Sequence, residues 1–333
     1  MRKILSLVVA ALCCATVFAT EGALPGKFSV AADKQVYFSQ GNLQATTDDT
    51  GKSWTWSFAT NQWDCVGNKA ANIAVKSYAR TSANGTVDLF GWSGGILYYG
   101  IDNSTNNADY SGDFEDWGHN EITNGGNQID LWRTMTQDEW VYLFQTREDA
   151  SSKYGAAKVM NKPGVVLLPD EWTLPSDCGF TPGMLSSEDW NNVPSTNNYT
   201  DATWPAMEAA GAVFLPAAGL REDAFVIGYD MQGHYWSSTP YGTAAYNFFF
   251  TPTTVNAEQG SIAPCHYGFS VRLVQAAPIE TAIKDVKSSS LQGGERPVDG
   301  RIEKDRGRLV ILNGQIFIQR GEKIYTLQGQ EVQ

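Results

Sequence analysis

The chain is short of histidine, cysteine and long apolar runs. Its 333 residues include three histidines, His119, His234 and His266, and five cysteines. None of the histidines stands in a nucleophile motif, so no hydrolase triad can be assigned. Beyond the N-terminus, no stretch approaches the about 20 consecutive apolar residues of a membrane helix. We therefore expect no triad chemistry and no membrane insertion after signal removal.

Positive charge is also scarce. Lys and Arg number 24 against 36 Asp and Glu, which gives a formal net charge of −12. An acidic chain without a basic stripe repels phosphate backbones and anionic lipid surfaces. The composition therefore argues against nucleic acid as a partner.

The N-terminal segment carries the pattern of a secretory signal. Arg2-Lys3 precedes an apolar run, 4–12, and Val17-Phe18-Ala19 fits a signal-peptidase site. Cleavage after Ala19 would leave a mature chain that is exported to the cell surface, periplasm or extracellular space. Lipidation at Cys13-Cys14 is a weaker alternative, because no small residue precedes either cysteine.

Three cysteines remain after this cleavage: Cys65, Cys178 and Cys265. An odd number leaves at least one thiol unpaired, so the chain is not a disulfide-framework protein. Whether any two of them pair stays open at this stage.

Aromatic residues and charge divide the chain. All eleven tryptophans lie between Trp54 and Trp236, whereas residues 301–333 are mildly basic and free of tryptophan. A stretch rich in Ser, Gly, Pro and charge separates these regions and is typical of a linker. We predict a signal peptide at 1–19, a main domain at 20–276, a linker at 277–300 and a small C-terminal β unit at 301–333.

The main domain is predicted to be α+β, with short, mostly antiparallel strands, about two helices and long loops. Thr136 and Glu139 form a capping box before an apolar helix face, and a second helix is expected at about 203–210. A strand is predicted to begin at Val36 and to meet a turn at Gly41-Asn42. Other apolar or alternating segments predict strands, at 53–58, 164–168, 212–215, 246–250 and 269–274. In the tail, Asn313-Gly314 between apolar runs predicts a hairpin, with a third strand from Lys323.

The tryptophans allow two interpretations. Large rings usually dominate core burial, and the same rings can stack on sugars. We expect most of them, including Trp236, to lie in the core.

Several strings resemble the Fibrobacter major-paralogous-domain family of exported Bacteroidetes-type proteins. They are Val36–Gln44, Asp116–Gly118, Asn124–Gly126, Trp132–Phe144, Ala209–Gly219, Tyr235–Pro240 and Gly268–Val274. The resemblance covers about 27–275 and implies a C-type-lectin-like fold, related to the formylglycine-generating enzymes. Gly314–Val332 is similar to the β-hairpin endings found on such exported proteins.

The enzyme relatives use paired late cysteines and a bound metal. Here Cys265-His266 is present, but Leu273 and Val274 stand where the second cysteine would lie. We therefore expect no enzyme and no catalytic residue, with a formylglycine-generating-like metalloenzyme as a minor alternative. Calcium is a further possibility in the acidic loop 102–116, although no recognised motif supports it, and no cofactor or metal ligand is predicted.

The candidate ligand site lies on the loop between the strands at 212–215 and 246–250. This segment combines aromatic and charged side chains, which suit the recognition of sugar hydroxyls or protein side chains. The predicted ligand-binding residues are Arg221, Asp223, Asp230, His234, Trp236 and Tyr241. The sequence thus favours a non-catalytic, surface-exposed or secreted binding or adhesion module with a glycan or protein ligand; the alternative is a structural component of a cell-surface assembly.

Overall fold

A computed structural model describes most of the chain between residues 21 and 332. The described residues are 21–47, 53–67, 72, 85–94, 98–102, 104–110, 112–258, 261–278, 308–312, 315–320, 323–326 and 331–332. The predicted signal peptide and most of the predicted linker lie outside them. The chain divides into two compact units, residues 1–280 and 281–333.

The first unit is α+β and mostly antiparallel. Its strands are β1 Ala23–Ala31, β2 Lys34–Ser39, β3 Leu43–Thr47, β4 Trp54–Phe58, β5 Gly85–Val87, β6 Tyr154–Val159, β7 Lys162–Leu167, β8 Asn198–Tyr199, β9 Val213–Pro216, β10 Leu220–Glu222, β11 Phe225–Ile227, β12 Gly233–Tyr241, β13 Ala244–Phe250, β14 Val255–Asn256, β15 Ile262–Pro264 and β16 Val274–Ala276. The helices are α1 Gln137–Val141, which continues as a π turn over Tyr142–Thr146, and α2 Trp204–Ala209. Single 3-10 turns lie at Tyr98–Gly100, Asn107–Tyr110, Trp117–His119, Ala150–Ser152, Trp190–Asn192 and Ser195–Asn197.

Five small sheets make up this unit. Their strand orders are β1-β2-β16, β4-β3-β5, β8-β6-β7-β9, β10-β11 and β12-β13-β14, with β15 also paired to β13. Every pairing between these named strands is antiparallel except that of β6 with β8. Strand β2 pairs with both β1 and β16. The first two strands of the unit and its last strand therefore form one sheet.

The β12–β13 hairpin lies between two parts of the core. Tyr235, Phe248 and Phe250 pack into one apolar cluster with α1, whereas Trp236 and Ala245 pack into a second cluster with β3 and β4. Neighbouring side chains on a strand point to opposite faces of the sheet. Both faces of this hairpin are therefore largely committed to packing, which leaves little of its surface for a site.

Most tryptophans are buried, as expected. Eight of the eleven have little exposed surface, at positions 56, 92, 117, 132, 140, 190, 204 and 236. Trp54, Trp63 and Trp172 are partly buried. The core interpretation is confirmed for the majority, which leaves few rings for recognition.

The predicted capping box begins α1. Thr136 Oγ1 accepts from the Glu139 amide at 3.2 Å, and Glu139 Oε2 accepts from the Thr136 amide at 2.9 Å. Glu139 also receives both guanidinium nitrogens of Arg133 and the ammonium of Lys34. Burial opposes ionisation of this carboxyl, but these donors outweigh it and lower the pKa of Glu139.

Two predicted elements differ from the structure. The segment between Arg221 and Tyr246 is not a loop, because β10, β11 and β12 occupy most of it. The predicted strand at 269–274 is extended but mainly joined by isolated bridges, and regular pairing begins at Val274. Ser270 and Arg272 are as buried as the apolar residues beside them, so this segment runs through the core rather than along its surface.

The second unit is a β sheet of order β17-β18-β19-β20. Its strands are β17 Arg308–Leu312, β18 Gln315–Arg320, β19 Lys323–Thr326 and β20 Glu331–Val332. The predicted hairpin and third strand are present, and a fourth short strand adds to them. Among the residues described in both units, no helix has the length and hydropathy to cross a membrane.

Candidate functional site

Arg221 was predicted to lie on the surface, and this is wrong. Its side chain is only 1% exposed, and its Nη2 donates to the carbonyl oxygen of Asp102 at 3.0 Å. The Arg221 side chain packs closely against Gly268, where the Cβ atom of any other residue would lie only 2.8 Å from it. Arg221 therefore joins the 102–110 loop to the core and is not available to a ligand.

Two other predicted residues are committed to protein contacts. Trp236 is buried, as expected, and its indole N–H donates to the carbonyl of Phe90 at 2.6 Å. Asp230 forms an ion pair with Lys162, whose ammonium also lies over the Tyr229 ring, 3.4 Å from its centroid. Neither Trp236 nor Asp230 reaches the pocket described next.

His234 lines a pocket of about 220 Å³ together with Asn247 and Phe249 of the neighbouring strand β13. In the hairpin register His234 lies opposite Phe249, and its ring stacks on Phe249 and Phe269 with centroids 5.5 and 4.8 Å away. The remaining walls are mostly apolar, with a few polar groups. They are Leu220, Asn247, Ser261, Ile262, Ala263, Pro264 and Tyr267.

The hydrogen bonds of Asn247 define the state of the imidazole. Asn247 Nδ2 donates to the Ser261 carbonyl at 3.2 Å, so Asn247 Oδ1 is the atom that faces His234 Nδ1, at 3.4 Å. An oxygen there requires the proton on Nδ1, which leaves Nε2 as an acceptor. Burial also lowers the pKa of His234 to about 4, so the ring is neutral at pH 7.

Two buried polar atoms near this pocket have no hydrogen-bond partner among the described residues. They are His234 Nε2 and Ser261 Oγ. Ser261 is only 3% exposed, yet its backbone is fully used: its amide donates to the Glu258 carbonyl, and its carbonyl accepts from Asn247. A buried polar atom without a partner costs about 1–3 kcal/mol, so such atoms need an explanation.

Acidic and aromatic side chains surround the mouth of the pocket. Tyr267 donates its hydroxyl to Glu222 Oε1 at 2.7 Å, and the exposed Asp223 turns the β10–β11 hairpin beside them. His266 precedes Tyr267 in the chain, and burial lowers its pKa, so it adds little positive charge at pH 7. The mouth is therefore acidic and disfavours anionic ligands.

Tyr241 lies at the other end of β12 from His234, and it does not line the pocket. Asn107 connects the turn after Tyr241 with His266: its Nδ2 donates to the Thr243 carbonyl, and its Oδ1 accepts from the His266 amide. The Tyr241 ring is 53% exposed and meets Tyr246 edge-on, with centroids 5.3 Å apart. Of the predicted ligand-binding residues, His234 is the one that lines this pocket.

Sequence reasoning missed Ser261, Asn247, Tyr267 and Glu222. Each lies on a different strand or turn from its partner. The register of β12, β13 and β15 brings Asn247 to His234 and Ser261, whereas the bridge between Arg221 and Gly268 brings Glu222 to Tyr267. Tyr267 alone had a local signal, since it follows the Cys265-His266 pair.

A second, polar groove of about 380 Å³ lies beside β4. Its walls are Trp54, Thr55, Trp56, His119, Asn120, Glu121, Thr123 and Asn127. His119 forms an ion pair with Asp130, and that hydrogen bond raises the pKa of His119. This groove is open and hydrophilic, in contrast to the pocket at His234.

The acidic loop considered for calcium is bonded largely to itself. Asp109 accepts from Ser104 Oγ and Asn106 Nδ2, and Asp102 accepts from the Ser104 amide. Asp116 caps the turn at Trp117–His119 and accepts from Thr134. Within the described part of the chain, no group of three or more His, Cys, Asp or Glu is placed to hold a metal ion.

The cysteine thiols are free at all three positions after the predicted signal peptide. Cys265 is packed in the second apolar cluster, and burial raises the pKa of its thiol to about 12. Its thiolate, the form that attacks or ligates, is therefore rare at neutral pH.

Comparison with known proteins identified no relative: no family model, no curated protein and no solved structure matches the chain.

Proposed function

We propose that the first unit is a non-catalytic binding module whose ligand enters the pocket at His234. The observation that carries this proposal is the pair of buried polar atoms without partners, His234 Nε2 and Ser261 Oγ, beside an apolar pocket. A bound ligand would supply the missing hydrogen bonds and cover the apolar walls, which is how most small-ligand sites combine specificity with affinity.

The proposed fold is C-type-lectin-like. Two features support it: the pairing of the first strands with the last one, and a candidate site on the late segments between them. In such folds the late region commonly forms the ligand surface. The proposed setting is outside the cytoplasm, on the strength of the N-terminal signal pattern.

The chemistry of Cys265 favours a binding role over the formylglycine-generating alternative. A buried thiol with a raised pKa is a poor nucleophile and a poor metal ligand. The second late cysteine of those enzymes is also missing, since Leu273 and Val274 stand in its place.

An array experiment tests the proposed function. The mature chain is applied to glycan and extracellular-protein arrays beside the variants Tyr267→Ala, in the pocket wall, and Tyr241→Ala, at an exposed predicted ligand-binding residue of the β12–β13 hairpin. We expect specific binding that each substitution weakens by about tenfold or more, with little change in melting temperature. Binding that is insensitive to both variants, or no binding on either array, would contradict the proposal.

A structural role in a surface assembly remains the second candidate. Large apolar side chains are exposed at alternate positions of β11 and the turn that follows it: Phe225, Ile227, Tyr229 and Met231. Phe225 is 71% exposed, and clustered exposed apolar residues often mark protein contacts. Loss of self-association or of co-purifying subunits in Phe225→Ser, with array binding absent, would favour this role.

A further inference from the structure

We infer that the pocket at His234 takes the acetamido group of a neutral N-acetylated amino sugar. This inference rests on the proposed function and specifies the ligand chemistry. It follows from the hydrogen-bond character of each unpartnered atom, the nature of the walls and the charge at the mouth.

The two polar atoms require a ligand that both donates and accepts. His234 Nε2 is an acceptor, because its Nδ1 carries the proton toward Asn247 Oδ1. Ser261 Oγ carries a hydroxyl proton with no acceptor among the described residues. A secondary amide meets both needs, since its N–H donates to an imidazole nitrogen and its carbonyl accepts from a hydroxyl.

The walls suit the methyl group of an acetamide. Leu220, Phe249 and Phe269 present apolar surface in the pocket, and a buried methyl group gains about 0.8 kcal/mol from leaving water. The volume of about 220 Å³ also leaves space for part of a sugar ring behind the acetamide.

The mouth favours a neutral sugar over other carriers of an acetamide. Tyr267 offers an aromatic ring and Glu222 a carboxylate that accepts from hydroxyl groups. Glu222 and Asp223 repel an acidic sugar, and His266 does not offset them because burial lowers its pKa. An acetylated lysine carries the same amide without ring hydroxyls, so it would add no hydrogen bond to Glu222 beyond the one from Tyr267.

Titration calorimetry with the full mature chain tests this inference. The probes are N,N′-diacetylchitobiose and cellobiose, which differ only in acetamido against hydroxyl groups at C2, and Nε-acetyl-lysine. We expect chitobiose to bind at least tenfold more tightly than either of the others.

Two pocket variants and one control separate recognition from structure. Ser261→Ala removes an unpartnered hydroxyl and retains the packing, so we expect it to abolish chitobiose binding while the melting temperature stays equal or rises. His234→Phe removes Nε2 together with the Nδ1 donor to Asn247, so we expect it to abolish binding as well, with a lower melting temperature. Ser270→Ala removes another buried, unpartnered hydroxyl that does not line the pocket, and it should leave binding unchanged. A structural role for Ser261 would instead lower the melting temperature.

The outcomes distinguish the two proposals. Pocket-dependent binding of cellobiose, of acetyl-lysine or of an array ligand without an acetamido group would overturn the inference and keep the binding function. Chitobiose binding that survives in both pocket variants would also overturn it. No binding of any probe and a silent array would overturn both.

Discussion

At the scale of single residues, arginines are buried in the core, including Arg221, which was predicted to bind a ligand. Arg221, Arg272 and Arg147 are each almost fully buried, and their guanidinium groups bind mainly carbonyl and amide oxygens. Charge and position in the chain made Arg221 resemble a surface residue. Only the fold shows that its partner is a carbonyl 119 residues away.

Arg221 should therefore matter for stability rather than for ligand affinity. Arg221→Met keeps the aliphatic stem but leaves the Asp102 carbonyl without its guanidinium donor, so we expect a loss of about 2–3 kcal/mol in the free energy of unfolding. Urea unfolding measures this change. Asp223→Asn, at the exposed turn two residues away, should change stability by less than about 0.5 kcal/mol. A stable Arg221→Met protein with impaired binding would restore the surface interpretation.

His234 makes stability depend on pH. Its folded pKa is about 4, below the about 6.5 of an unfolded chain, so the unfolded state binds more protons between these values. Stability from this residue is complete above pH 6.5 and is lost as the pH falls toward 4, by about 3 kcal/mol in all. His234→Gln should lose less stability than wild type between pH 7 and 4.5 in urea unfolding. Equal losses in both proteins would mean that the imidazole is not buried.

At the scale of elements, features with a local sequence signal were predicted correctly, whereas the short strands β10 and β11 were not predicted. The capping box, α2 with its Pro205, and the tail hairpin depend on neighbours in sequence, and all are present. By contrast, β10 and β11 have three residues each, too few for a period-2 pattern to rise above a loop. The pocket at His234 could not be predicted because it needs the register of three strands.

The helix at 137–146 offers a test of how cap and core contribute. Thr136→Ala removes one partner of the capping box and should cost about 1 kcal/mol. Trp140 is 1% exposed and stacks on Phe248 with centroids 4.8 Å apart, so Trp140→Ala should cost about 3–5 kcal/mol. Both values come from urea unfolding. Small, equal effects would contradict the assignment of this helix and its packing.

At the scale of the whole molecule, the chain has two units of different composition. The tryptophans, the acidic charge and both candidate cavities belong to the first unit, and the second unit is a small sheet of its own. A hairpin alone is marginal in water, whereas four strands form a more credible independent unit. Composition could not predict which aromatic residues would be left for recognition, since that depends on which face of each strand the core uses.

Limited proteolysis should separate the two units. Residues 277–300 are rich in Ser, Gly, Pro and charge, a composition typical of exposed linkers, and the boundary between the units falls at Glu280. Most of this segment lies outside the described residues, so the expectation rests on composition and on that boundary.

A low dose of a broad-specificity protease should first cut within 277–300 and leave a resistant fragment that begins near residue 20, as mass spectrometry of the products would show. The fragment should melt at nearly the same temperature as the first unit of the intact chain, because its first and last strands, β1, β2 and β16, are all retained. An earlier cut inside 21–276, or a large fall in melting temperature after cleavage at the linker, would show that the first unit depends on the tail.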